Sequence, residues 1–226
     1  MRLDKFLTEC GVGTRSQVKD IIKKGEITVN GRLAKTPKDH IDEENDEISY
    51  MDEVLSFKSE RYYVLYKLAG YVTALEDRRD KTVMDLLPEW VNTKKLFPVG
   101  RLDKDTEGLL IFTNDGKASH EMLSPKRHVD KVYYVKLLEE IQDDKVKLLE
   151  KGVDIGGYVT KPSKVQIINN TEILLTISEG RFHQVKKMMV AVDNKVDYLK
   201  RVQFGNLHLG DMKPGEVREI NLTDII

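Results

Sequence analysis

Apolar positions near the start of the chain recur at helical spacing and then switch to alternation. Leu3, Phe6 and Leu7 fall at i, i+3 and i+4, which predicts a short helix that Gly11 and Gly13 end. Thr14 and Gln17 stand at the spacing of a capping box, with Ser16 as a rival cap. Val18, Ile21 and Ile22 give the apolar stripe of a second helix, which Gly25 stops. Ile27, Val29 and Leu33 flank Asn30-Gly31, the pattern of a hairpin with a tight turn. Residues 39–60 are weakly periodic, with a short strand near 47–50. Beyond Arg61 the pattern predicts strands over 62–66, 109–112, 132–138, 173–177 and 198–204. Helices are predicted over 83–87 and 185–192, and Asn114-Asp115-Gly116 reads as a turn.

This mixture has no regular βαβ rhythm. The fold class it implies is α+β, with a largely antiparallel sheet. The expected division is a small α/β domain over 1–45, a linker over 46–60, and a larger domain over 61–226 whose mixed sheet is flanked by helices.

Charge distribution sharpens this division. The whole chain of 226 residues carries a net charge of −1. Residues 1–35 hold eight Lys/Arg against four Asp/Glu, whereas residues 36–60 hold two against nine. A basic head followed by an acidic connector suits a unit that meets a polyanion, although a solvated charged surface has the same composition. Arg15, Lys19 and Lys23, spaced four apart, put a basic stripe on the second helix, with Lys24 and Arg32 nearby.

Other features narrow the class. No apolar run is long enough to span a bilayer, and Met1 to Lys5 lack the apolar stretch of a signal peptide, so a cytoplasmic location is expected. The single cysteine, Cys10, reads as a small buried hydrophobe. The five histidines show no metal-ligand spacing, so no metal is expected. No apolar stripe is left over for self-association, which points to a monomer.

The stretch richest in chemistry is Gly100-Arg101-Leu102-Asp103-Lys104-Asp105-Thr106-Glu107-Gly108, which runs straight into an apolar strand. A charged, glycine-bounded loop of this kind is either a polar turn or an active-site loop, and pattern alone leaves both open.

Gly100 to Gly116 resembles the signature of bacterial ribosomal RNA pseudouridine synthases, in particular the small-subunit rRNA subfamily. Arg2-Leu3-Asp4-Lys5-Phe6-Leu7 and Val29-Asn30-Gly31 resemble the S4-type RNA-binding domain that this subfamily carries. Three later segments match in the same order: Lys131-Val132-Tyr133, then Glu179-Gly180-Arg181-Phe182-His183-Gln184-Val185-Lys186, then Leu199-Lys200-Arg201-Val202 with Gly205. One segment departs from the pattern. Lys67-Leu68-Ala69-Gly70 has leucine where the family usually has proline, which puts the geometry of that supporting loop in question.

The resemblance implies a uridine-to-pseudouridine isomerase that needs no cofactor and acts on ribosomal RNA or an assembling subunit. It implies Asp103 as the catalytic carboxylate in preference to Asp105, and Lys186 as its cationic partner. It further implies Tyr133 as the aromatic under the target base and Leu199 as an apolar wall. Arg101 and Lys104 are expected at the pocket and on phosphate, and Arg127 and Arg181 on phosphate. Arg2, Lys5, Arg15, Lys19, Lys23, Lys24 and Arg32 are expected to bind RNA from the head. His183 and Gln184 are expected to hold the backbone of their motif, with no acid–base role for His183. Two other readings remain: the same chemistry on large-subunit or another RNA, and a non-catalytic assembly factor that keeps the fold.

Overall fold

The computed structural model describes residues 1–43, 45–55, 60–124 and 129–226. Arg127, expected on phosphate, lies outside the described residues. The chain divides into two compact units, Met1–Ser59 and Glu60–Ile226.

In the first unit, α1 (Leu3–Glu9) buries Leu3, Phe6 and Leu7, the residues its helical spacing aligned. Helix α2 (Arg15–Lys23) begins with the expected box. Thr14 Oγ1 accepts from the Gln17 N–H at 3.4 Å, and Gln17 Oε1 accepts from the Thr14 N–H at 2.8 Å. Val18 and Ile22 face inward, while Arg15, Lys19 and Lys23 are exposed. Full burial of each such aliphatic side chain contributes about 1.5–3 kcal/mol. Cys10 is half-buried against this core, and burial pushes its thiol up to about 11, away from thiolate chemistry.

Strands β1 (Ile27–Val29) and β2 (Arg32–Leu33) form the hairpin. Its turn puts Asn30 at φ 51° and Gly31 at φ 71°, the left-handed values that a tight hairpin turn demands. The segment after it holds more structure than its acidity suggests. Strands β3 (Ile48–Tyr50) and β4 (Glu53–Val54) complete an antiparallel sheet of order β2-β1-β3-β4. Ile48 lies opposite Val29 and is buried in the same core. The Asn30 side chain bonds both Asp46 and the Glu47 N–H, so residues 46–54 belong to the body of this unit.

The second unit is α+β, built on a mostly antiparallel sheet. Its strands are β5 (Tyr62–Lys67), β6 (Phe97–Pro98), β7 (Glu107–Thr113), β8 (Lys131–Leu137), β9 (Lys164–Asn169), β10 (Glu172–Ile177), β11 (Val196–Phe204), β12 (Leu207–His208) and β13 (Val217–Ile220). The main order is β13-β5-β7-β11-β8-β10-β9, with β6 on β7 and β12 on β11. Its helices are α3 (Gly116–Leu123), α4 (Asp143–Lys151) and α5 (Gln184–Ala191), and a 3-10 turn covers Val83–Leu86.

Strand β7 lies inside the sheet, and its alternation feeds two cores. Leu110 and Phe112 join the cluster that holds Tyr133, Val135, Leu199 and the inner side of α5. Leu109 and Ile111 join the opposite cluster with Phe204 and Met122. Burial on both faces explains why this strand is a continuous apolar run rather than an alternating one.

Among the described strands, β7 and β11 form the one parallel pair, through Lys200 opposite Glu107 and Arg201 opposite Gly108. A Cβ on Gly108 would stand 2.2 Å from the Arg201 carbonyl oxygen, and its φ is 99°, so no other residue fits there without displacing a strand.

The predicted turn at Asn114-Asp115-Gly116 is the start of a helix. Asp115 caps α3, accepting from the Lys117 and Ala118 N–H groups at 2.9 and 3.0 Å. Helix α4 escaped sequence reading because only Leu149 of its nine residues is fully buried.

Candidate active site

The charged loop after β6 enters a cavity of about 510 Å³, lined wholly by the second unit. What fixes the loop is a lysine. Lys67 ends the apolar strand β5 and is fully buried. Its ammonium donates to the carbonyls of Thr106 at 2.7 Å, Leu68 and Asp103 at 3.0 Å, and Lys104 at 3.3 Å. Burial pulls Lys67 down to about 8, while Asp105, Glu107 and Asp103 act in the opposite sense. Thr73 adds a reciprocal clamp: its hydroxyl donates to the Leu102 carbonyl at 2.6 Å and accepts from the Leu102 N–H at 3.1 Å. The Gly70 N–H bonds the Lys104 carbonyl at 2.7 Å. With Leu68 in place of proline, the 67–73 segment therefore still docks against the loop.

So held, Asp103 presents its carboxylate to the cavity. Lys186 Nζ stands 3.1 Å from Asp103 Oδ2 and 2.5 Å from Asp105 Oδ1. Burial works against the Lys186 charge, but hydrogen bonds to Asp105 and Asp103 outweigh it and hold the ammonium above the ordinary lysine range. For Asp105 too, burial is outweighed by Lys186, and its carboxyl sits below the usual range. The two acids differ in access: the Asp103 side chain is 25% exposed and lines the cavity, whereas that of Asp105 is 72% exposed and does not.

Lys186 comes from α5, whose entry is braced as expected of Gln184. Its Oε1 accepts from the Arg181 N–H at 2.8 Å and its Nε2 donates to Glu179 at 3.1 Å. His183 does something else. It adopts the left-handed conformation at φ 52° just before α5, which costs an L-residue about 1–2 kcal/mol. Its Nε2 lies 3.5 Å from Asp103 Oδ1. The expectation that His183 serves the motif's backbone is corrected: its ring flanks the carboxylate. Phe182 stacks on that ring at 3.8 Å while remaining 69% exposed.

Tyr133 and Leu199 are both buried and both line the cavity. Tyr134, its neighbour in β8, turns to the other side, 6.1 Å from the Tyr198 ring. Arg101, Lys104 and Arg181 also line the cavity. Lys104 is paired with Asp80 at 2.6 Å, and the Arg181 guanidinium lies 4.1 Å from the Tyr158 ring centre. Arg2, Lys5, Arg15, Lys19, Lys23, Lys24 and Arg32 are all exposed on the first unit, Arg2 in an ion pair with Asp4.

The sequence reading did not single out Lys67, Thr73 or Phe182. A lone lysine closing an apolar strand and a bare phenylalanine inside a polar motif were the available signals. Among the described residues, no three His, Cys, Asp or Glu side chains come together to hold a metal, and no helix is long and apolar enough to cross a membrane.

Residues 61–191 match the RNA pseudouridylate synthase family and residues 1–48 match the S4 domain. The chain is 45% identical over 231 residues to an uncharacterized RNA pseudouridine synthase of Bacillus subtilis, YtzG, covering 100% of this chain and 97% of the relative. It is 40% identical over 230 residues to the ribosomal small subunit pseudouridine synthase A of Vibrio vulnificus, covering 100% and 98%. A crystal structure of a pseudouridylate synthase superposes with a TM-score of 0.69 at 36% identity, covering 100% and 98% of the two chains.

Proposed function

The chain belongs to the RNA pseudouridylate synthase family, and we propose that it isomerises one uridine of small-subunit ribosomal RNA with Asp103 as the catalytic carboxylate. The observation that carries this reading is the Asp103–Lys186 pair, 3.1 Å apart in a cavity that Tyr133 and Leu199 also line.

The reaction breaks the N1–C1′ bond, turns the uracil and forms a C5–C1′ bond. C5 gives up its proton and N1 gains one. An ionised carboxylate serves this in three ways: by adding to the base, by attacking C1′, or by taking the 2′ proton. Each uses the carboxylate as an anion, and the Lys186 ammonium at 3.1 Å supplies the neighbouring positive charge. Tyr133 offers a flat surface to a base that has left its stack, and Leu199 keeps water from that side. His183, within reach of the same carboxylate, is a positioning residue in this scheme.

The small-subunit target rests on relatives that carry that name over the full length of the chain. In this reading the first unit, Met1–Ser59, acts as an S4-like head that adds phosphate contacts and raises the effective concentration of the target. The protein works in the cytoplasm as a single copy on rRNA or an assembling subunit, where the target base is easier to extrude than in mature duplex RNA.

The test is a pseudouridine map of ribosomal RNA from cells lacking the protein, complemented by wild type or by Asp103→Asn. Loss of one small-subunit pseudouridine that only wild type restores supports every part of the reading. Loss in large-subunit RNA changes the target, and restoration by Asp103→Asn removes the role given to the carboxylate. An unchanged map favours a non-catalytic assembly factor.

A further inference from the structure

Two cations in the cavity wall have no part in the chemistry above. Lys131 opens β8 and is 6% exposed, and Arg201 lies in β11 and is 2% exposed. Both line the cavity. Strand alternation puts Lys131 on the same face as Tyr133, and Arg201 pairs opposite Tyr133 across the two strands. The Lys131 ammonium and the Arg201 guanidinium converge on one ring, at 5.1 and 5.3 Å from the centre of Phe204.

Their partners are few. Arg201 Nε donates to the Leu109 carbonyl at 2.8 Å, and Lys131 Nζ to the Val129 carbonyl at 2.6 Å. Arg201 Nη2 is shut off from solvent and has no hydrogen-bond partner among the described residues. Burial first, and then Arg201, push Lys131 down to about 8, and Asp130 opposes this with less force. Buried charges are normally paired with an opposite charge, and a buried guanidinium normally spends its donors. Here two like charges share a dry wall and one donor is unspent, an arrangement that an entering anion would relieve.

We propose that Lys131 and Arg201 form a phosphate subsite of the cavity, which takes a phosphodiester flanking the target nucleotide. This rests on the reading of the chain as an RNA-modifying enzyme, since a strand entering the cavity carries a phosphate on each side of its base. A phosphodiester fits better than a base edge. It brings a full negative charge to two cations that line the cavity, whereas uracil carbonyls are neutral. The subsite would fix the ribose in the cavity independently of the Asp103–Lys186 pair.

Lys131→Met is the informative variant, because it keeps the length of the stem and removes the charge. A merely structural lysine would lose stability on this change. A ligand-binding one leaves the melting temperature unchanged or raised, because a buried uncompensated charge is gone. Binding is measured with a fragment of the RNA that wild type modifies, made with one uncharged methylphosphonate on the 5′ or the 3′ side of the target uridine. Wild type is expected to lose affinity roughly tenfold or more at one of the two positions, the size of a charge-assisted hydrogen bond. Lys131→Met should bind the ordinary RNA weaker by a similar factor and lose little more from the methylphosphonate. Losses that multiply in the variant, or indifference of wild type at both positions, overturn the subsite.

Inorganic phosphate provides a probe that does not depend on turnover. It should raise the melting temperature of wild type more than that of Lys131→Met, and equal shifts overturn the subsite. Arg201→Gln gives a second variant with the same expectations for binding and phosphate. If wild type modifies no ribosomal RNA while phosphate still separates it from Lys131→Met, the anion subsite stands and the rRNA reading fails.

Discussion

The Lys186 ammonium stands 3.1 Å from Asp103 Oδ2, tying helix α5 to the loop that precedes β7. In the proposed reaction it is the charge, rather than the bulk, of this side chain that supports the carboxylate. Lys186→Met is expected to lower single-turnover pseudouridine formation by roughly a hundredfold, the scale seen when one preorganised charge partner is removed. Lys186→Arg keeps the charge and should retain more activity than Lys186→Met. Equal rates for the two variants would show that the ammonium does not act through its charge.

Lys67 makes activity and stability respond to pH in opposite directions. Its folded value of about 8 lies below the 10.5 of an ordinary lysine, so the folded chain gives up this proton first. The unfolded chain binds more protons between those values, and this lysine's contribution to stability therefore rises with pH across that window. Lys131, also at about 8, contributes in the same sense. Lys186, raised above its ordinary value, loses its stabilising contribution only at more alkaline pH, as the folded group deprotonates. Deprotonated Lys67 has too few donors for the carbonyls of Leu68, Asp103, Lys104 and Thr106. Turnover should therefore fall above about pH 8, while urea midpoints hold or rise. A parallel fall of both would assign the loss to unfolding.

Gly108→Ala tests the close approach of β7 to β11. The new methyl would meet the Arg201 carbonyl at 2.2 Å, in a backbone conformation that alanine resists. A loss of about 2–4 kcal/mol in urea unfolding is expected, from strain and overpacking together. A wild-type midpoint would mean that the strands part more easily than their packing indicates.

The basic stripe of α2 is accessible to a salt titration. Replacing Arg15, Lys19 and Lys23 together by alanine should flatten the dependence of log affinity on log salt by roughly 2, if each meets a single-strand phosphate. Folding stability should change by less than about 0.5 kcal/mol per site, because all three side chains are exposed. An unchanged slope would remove α2 from the RNA-binding surface.

Much of the frame was legible because single residues carried single physical signals. Leu3, Phe6 and Leu7 announced α1 by spacing, Thr14 and Gln17 announced the start of α2, and Asn30-Gly31 announced the first hairpin. The Asp103–Lys186 pairing was implied only by the family resemblance of their two motifs. What stayed hidden depended on partners remote in sequence. Lys67 meets carbonyls up to 39 positions away, and its place at the end of an apolar strand does not reveal those partners. His183 lies 3.5 Å from Asp103, and it sits in a left-handed turn that its sequence does not announce. β3 answers the strand expected near 47–50, whereas β4 stayed hidden in the acidic segment because Glu53 and Val54 are both exposed.

Because β7 carries alternate side chains into both cores of the second unit, neither core can open without exposing the other. Its amides should belong to the slowest-exchanging class of that unit, released only by global unfolding. The loop that carries Asp103 is thus anchored directly to the last part of the fold to come apart. Motion at Asp103 is then confined to the loop itself, and heat should abolish activity and structure in one transition rather than silence the site first.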